Sequence, residues 1–298
     1  MAECRPHLAE NRVSVYVPAM TFSIVGRSAD GRAFGVAVAS KFLAVGAAVP
    51  AAQAGVGAIA TQSYANLAYR PDGLALLRAG RSATDTLDEL TAADEQRETR
   101  QAGVVDASGS AATFTGSGCH PWAGGVTGPG YAIQGNILTG PDVVAAMERA
   151  WLATGEEEPL ARRLSAALAA GDAAGGDRRG RQSAALLVVT PDGGYGGGSD
   201  VLVDLRIDDH EDPLAELARL LELHDLYFGK PDPQTLMSLD GALADEVRDR
   251  LARLGHDGED LEAALTNWAG IENYEERLFP GKIDPLILDK LRAASRSG

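Results

Sequence analysis

Residues 20–40 read MTFSIVGRSADGRAFGVAVAS. Two apolar runs, TFSIVGR (21–27) and AFGVAVAS (33–40), flank the turn residues Ala29, Asp30 and Gly31. Apolar runs on either side of an Asp-Gly turn predict a β-hairpin. AVGAAVP (44–50) and GVGAIATQS (55–63) continue in the same style, and their small residues predict sheets in close approach. Two helices are expected next, at about 72–77 and 83–93, the second capped by Ser82. A second β block comes after them in QAGVVDASG (101–109), SAATFTG (110–116) and YAIQGNIL (131–138). Helices are then expected at about 140–154 and 159–169, before the strands SAALLVVT (183–190) and VLVDLRID (201–208). Strands and helices in separate blocks imply a layered α+β fold, not alternating βαβ units.

From about Pro213 the chain turns helical and more acidic, and residues 211–298 carry nine of the fifteen net negative charges. HDLYFGKPDPQT (224–235) reads as a linker because of its two prolines. Three further amphipathic segments, from about Leu239 to the C-terminus, predict a small helical module. The expected organisation is an extension at 1–20, a main domain at 21–225 and the module at 226–298.

The 298 residues carry 27 Lys and Arg against 42 Asp and Glu, for a net charge of −15. Such acidity argues against nucleic acid and against anionic membranes as partners. No apolar run reaches spanning length, and residues 1–20 lack the apolar core of a secretory signal, so a cytoplasmic location is expected. Cys4 and Cys119 are too few for a disulfide or zinc framework, and the five histidines are scattered. No metal or cofactor is expected. Phosphate-loop, zinc-protease and nucleophile-elbow motifs are absent. The glycine run 193–198 lies between two strands and opens no helix, so it reads as a hairpin turn.

Met20-Thr21 is the position with chemical content. A chain started at Met20 and trimmed of that residue would expose Thr21 as a free N-terminus. Such a threonine combines a nucleophile with its own base, because the α-amine, with a reference pKa of about 8, takes the hydroxyl proton. The plainer reading makes Thr21 simply the first residue of a strand.

MTFSIVGR (20–27) and GVAVASKFLAVGAAVPAAQAGVGAIATQSYAN (35–66) resemble the domain-of-unknown-function 1028 (DUF1028) family, assigned to the N-terminal-nucleophile (Ntn) hydrolases. RQAGVVDASG, GCHPWAGG, GYAIQGNIL, GGDRRGRQSAALLV and YGGGSDVLVDLRIDDH carry the resemblance on to about residue 225. It implies a four-layer αββα sandwich, hydrolysis of a small-molecule amide through an acyl-enzyme, and Thr21 as the nucleophile. Family members commonly begin at the Met-Thr pair, so residues 1–20 are expected to be a misplaced start, a propeptide or a true extension. The tail resembles a peptidoglycan-binding module, which implies a peptidoglycan fragment as a partner. A homodimer is expected from the resemblance alone.

Other residues take roles around Thr21. Lys41, after the strand ending at Ser40, is expected to hold the Thr21 amine neutral. Asn136 supplies a donor for a tetrahedral oxyanion, or else shares a solvent-facing sheet surface with Gln134. Thr61, Gln62 and Ser63, at a strand end, and Asn66 nearby are expected to face a substrate cleft. Asp177, Arg179 and Arg181, in the glycine-rich loop, form an expected clamp for an acidic substrate. Cys119 beside His120 offers a thiol nucleophile as a rival, and Asp204 and Arg206 read as a surface pair. A non-catalytic ligand- or peptidoglycan-binding protein on the same scaffold is the alternative to the hydrolase.

Overall fold

The computed structural model describes residues 21–296. The expectations for residues 1–20 lie outside the described residues. The predicted hairpin forms: β1 (Thr21–Arg27) and β2 (Phe34–Ser40) pair antiparallel around a turn in which Gly31 takes φ +76°. After β2 come the four-residue helix α1 (Val45–Ala48), β3 (Pro50–Gln53) and β4 (Gly57–Ser63). Residues 44–50, expected as strand, are therefore mostly helical. Ala44 enters this turn at φ +53°, which no strand allows.

Helices α2 (Tyr69–Arg78) and α3 (Ala83–Ala92) are next, then β5 (Arg100–Asp106), β6 (Ala111–Thr115), β7 (Gly124–Gly128) and β8 (Tyr131–Asn136). The glycine-rich β7 had no strand signal in the sequence. Then come α4 (Asp142–Ala153), α5 (Leu160–Ala173), β9 (Ser183–Val189), β10 (Val201–Ile207) and α6 (Pro213–Phe228). All strand pairings among the described residues are antiparallel. One sheet runs β10-β9-β2-β1-β8-β7 and the other β3-β4-β5-β6.

The period-2 alternation of strands sorts residues into layers. Phe22, Ile24, Ala37 and Ile133 point to one side of the six-stranded sheet, where they pack on Val144 and Met147 of α4, Leu164 and Leu168 of α5, and Leu217 of α6. Val25, Val36, Val38 and Ala132 point the other way and meet Ala58, Ala60 and Val105 of the second sheet. The outer face of that second sheet, with Ile59 and Val104, is covered by Tyr69 and Leu77 of α2 and Leu87 of α3. The chain is thus a mixed α and β protein with antiparallel sheets and a helical C-terminal region.

Helix α6 runs through the expected domain boundary after residue 225. Leu217 and Leu221 belong to the core under the six-stranded sheet, while Leu226 belongs to the C-terminal core. The first half of the expected linker is therefore helix, and Pro231 and Pro233 lie beyond its end. The C-terminal core is completed by α7 (Gly241–Arg253), α8 (Leu261–Ile271) and α9 (Pro285–Ala294), with a two-residue ladder between β11 (Met237–Ser238) and β12 (Lys282–Ile283). Asp212, Asp260 and Asp284 cap α6, α8 and α9 by accepting from first-turn backbone amides. Arg277 ties the module to α6. It donates to the backbone carbonyls of Asp225 and Leu226, and it pairs at 2.7 Å with Asp284, both side chains being buried.

Candidate functional site

The space between the two sheets changes character along β1. At one end it is apolar, around Val25. Two residues back Ser23 faces inward, and two further back Thr21 does so, both fully buried. The inward positions of the neighbouring strands change in step: Gln134 and Asn136 on β8, Gln62 on β4, and Gln101 on β5, all at most 1 % exposed. Buried amides have to find partners, and these find one another. Ser23 Oγ donates to Gln62 Oε1 at 2.6 Å and accepts from Gln134 Nε2 at 2.6 Å. Gln62 Nε2 donates to Gln101 Oε1 at 2.8 Å and to the Thr21 carbonyl at 3.3 Å. Gln101 Nε2 donates to the Gly135 carbonyl at 2.7 Å and to Thr115 Oγ1 at 2.9 Å. Gly103 makes room for the network, since a Cβ there would stand 2.0 Å from Gln134 Oε1.

Thr21 sits at the end of this network, paired in register with Asn136. Its Oγ1 lies 3.2 Å from Ser40 Oγ, the last residue of β2. Asn136 Nδ2 donates to Gln101 Oε1 at 2.9 Å and to the Thr21 carbonyl at 3.4 Å. Both amide hydrogens are therefore spoken for, and Oδ1 has no partner among the described residues. This geometry makes Asn136 a holder of the Thr21 backbone, and its remaining atom is an acceptor where an oxyanion needs a donor. The reading that placed Gln134 and Asn136 on a solvent-facing surface is corrected, because that face is closed by the second sheet.

Beside Thr21 the chain passes from Ser40 into Lys41, whose backbone N–H donates to Asp177 Oδ2 at 2.7 Å. The Lys41 ammonium itself turns outward and donates to the Arg181 carbonyl at 3.1 Å. Asp177 is buried and also accepts from the Arg179 backbone N–H at 2.8 Å. A small pocket opens next to it, walled by Phe22, Ser40, Asp177, Arg181, Ser183 and Leu214. The expected arginine clamp is paired locally: Arg179 contacts Asp177 of the same loop at 3.3 Å and Arg181 contacts Asp172 at the end of α5 at 2.7 Å. Arg178 reaches the carbonyls of Pro121 and Leu138.

Thr61, Ser63 and Asn66 are not brought to Thr21. Thr61 lies on the opposite face of β4 from Gln62 and donates to the Asn66 carbonyl at 3.3 Å. Asn66 joins Tyr69, Arg100 and the Gln96 backbone N–H in donating to Asp94. Burial alone would raise the Asp94 pKa, but these hydrogen bonds overcome it and hold the carboxyl below the usual range. Burial and then Asp94 push the Tyr69 phenol well up. Ser63, at φ +67°, sits by the Cys119 thiol, whose pKa is raised chiefly by burial. Cys119 donates to the Arg100 carbonyl and His120 faces Tyr64, so thiol and imidazole are not a pair. Asp204 and Arg206 form the expected surface pair, at 2.9 Å.

Sequence reasoning missed Ser40 and Gln101, and it expected Gln62 to face a substrate cleft, whereas Gln62 bonds to Ser23 and Gln101 between the sheets. The available signal was three glutamines and an asparagine at inward alternation positions of the neighbouring strands.

A family described as "family of unknown function (DUF1028)" matches residues 21–217, and one described as "putative peptidoglycan binding domain" matches residues 227–291. A solved DUF1028 protein from Silicibacter pomeroyi superposes with a TM-score of 0.62 at 31% identity, covering 76% of this chain and 93% of its own. Anbu, an ancestral β-subunit from Yersinia bercovieri, aligns with a TM-score of 0.31 at 13% identity, covering 68% of this chain and 93% of its own. No curated protein matches.

Proposed function

Since the chain belongs to the DUF1028 family, we propose that its two-sheet frame serves an Ntn-type amide hydrolase whose nucleophile is Thr21. The observation that carries this reading is the placement of the Thr21 hydroxyl against Ser40 Oγ at 3.2 Å, at the polar end of the inter-sheet layer. That the family match begins at residue 21 supports it. Hydrolysis of the Met20–Thr21 bond, or removal of an initiator Met20, frees the α-amine. The amine then accepts the Oγ1 proton as the oxygen attacks an amide carbonyl. The tetrahedral intermediate collapses, the same proton passes to the departing amine, and an ester to Thr21 remains. Water, deprotonated by the α-amine, cleaves that ester and restores the hydroxyl.

The residues around Thr21 divide this work. Ser40 fixes the hydroxyl. Gln62 and Asn136 hold the Thr21 carbonyl, and so the direction in which the amine projects. Lys41 contributes through its backbone N–H to Asp177, which holds the chain directly after Ser40.

The test joins mass and turnover. Intact mass is expected to begin at Thr21, Thr21→Ser to keep activity on an amide panel, and Thr21→Ala to lose roughly a thousandfold or more while staying folded. Undiminished turnover by Thr21→Ala overturns the mechanism. A second reading, a non-catalytic binder, is favoured by the match of residues 227–291 to a peptidoglycan-binding family. It predicts a Thr21 still peptide-bonded and binding without turnover.

A further inference from the structure

The loop between β9 and β10 carries one aromatic residue among its glycines. Gly196 and Gly197 take φ +60° and +71°, and the tight loop they allow leaves Tyr195 67% exposed. The Tyr195 ring meets Phe228, the last residue of α6, at 6.1 Å in an edge-to-face arrangement, and Phe228 is itself 49% exposed. His224, one turn earlier on α6, packs on Phe228 at 5.2 Å and is anchored through Nε2 to the Leu202 carbonyl at 2.8 Å. Leu202 and Val201 of β10 extend the same surface and are also exposed. Large exposed rings with a polar rim mark an interaction site. The rim here is acidic: Tyr195 Oη donates to Glu275 Oε1 at 3.3 Å, and Glu275 and Glu276 both press the phenol pKa upward.

We propose that Tyr195, Phe228 and Glu275 form a binding seam for a peptidoglycan fragment, the rings taking a sugar face and the carboxylate taking a stem-peptide ammonium. This rests on the reading that the C-terminal module binds peptidoglycan, and it adds where and how. The apolar C–H face of a pyranose packs flat on an aromatic ring, while its hydroxyls stay in water. A carboxylate at the ring edge selects a cationic substituent through charge-assisted hydrogen bonds. A second copy of the chain fits poorly, because self-association would bring together like-charged rims on a protein of net charge −15. The seam needs both parts of the chain. Phe228 and Glu275 lie within the peptidoglycan-binding match, and Tyr195 lies within the DUF1028 match. A ligand held here would be held by both at once.

The full-length chain is incubated with purified peptidoglycan sacculi, and with a soluble disaccharide peptide bearing a free amine. Wild type is expected to co-sediment with sacculi. Tyr195→Ala and Phe228→Ala should each weaken binding about tenfold or more. Glu275→Gln should weaken binding of the free-amine fragment but not of its N-acetylated form. Leu152→Ala, an exposed residue on α4, which packs at the sheet edge opposite β10, should change nothing, and circular dichroism confirms that each variant is folded. Wild-type binding that survives both aromatic substitutions overturns the seam and leaves the module reading intact. No binding by wild type overturns both. A dimer that Phe228→Ala dissociates, seen by sedimentation, overturns the saccharide assignment in favour of self-association.

Discussion

A glutamine enclosed by two sheets is stable only if each of its hydrogens and lone pairs is met, and Gln101 shows how far that goes here. Its Oε1 accepts from Gln62 and Asn136 while its Nε2 reaches Gly135 and Thr115. Gln101→Ala would strand several of these groups away from water. It is expected to destabilise the fold by about 3 kcal/mol, measured by chemical denaturation. Gly103→Ala should cost about 1–3 kcal/mol by forcing Gln134 from its place, because the Cβ would collide with its Oε1. Loss of turnover beyond that loss of stability in Gln101→Ala would assign the network a part in holding Thr21. The network these glutamines form escaped the sequence reading for a physical reason. A polar residue alternating with apolar ones ordinarily faces solvent, and only the presence of a second sheet reverses that inference. The role proposed for Thr21 could be formulated from the sequence because it involves one residue and its terminus, and not partners brought from several strands.

Among the elements, the connection from β4 to α2 and the one from α3 to β5 are clamped together by Asp94, which takes Asn66, Tyr69 and Arg100 from both sides. The folded pKa of Asp94 is depressed. Its stabilising contribution is therefore complete above the unfolded carboxylate value of about 3.9 and is lost as pH falls toward the folded value. Asp94→Asn should lower stability at neutral pH and flatten the acid limb of a pH–stability curve, read as urea midpoints from about pH 7 down to 3. An unchanged acid limb would deny Asp94 that role. The β1–β2 hairpin, α3 and α4 were legible from turn, cap and period. The α1 turn was not, because Ala-Val-Gly-Ala-Ala-Val carries as much strand signal as helix signal. Residues 224–228 were misread because the prolines behind them mark where α6 stops, while its apolar period continues through Leu226.

At the scale of the molecule, the two cores meet in one helix. Leu226→Ala should destabilise the module by about 2–5 kcal/mol, and fluorescence of Trp268, which is buried in that core, would report its loss. Arg277→Met should cost about 3–5 kcal/mol, because it leaves Asp284 buried without its cation. If either change left the module's transition untouched, the shared helix would not be its anchor.

Continuity of α6 also sets an angular rule for the chain. Each residue of an α-helix rotates the next about the axis by roughly 100°. One residue inserted between Leu221 and Leu226 would swing the whole C-terminal module a quarter-turn or more around the axis, and Phe228 would no longer face Tyr195. A flexible tether forgives changes in its length, whereas a rigid shaft converts each one into misorientation. An insertion of about seven residues, roughly two full turns, would restore the angle but carry the module about 10 Å further along the axis, so it should recover orientation without the contact between Phe228 and Tyr195.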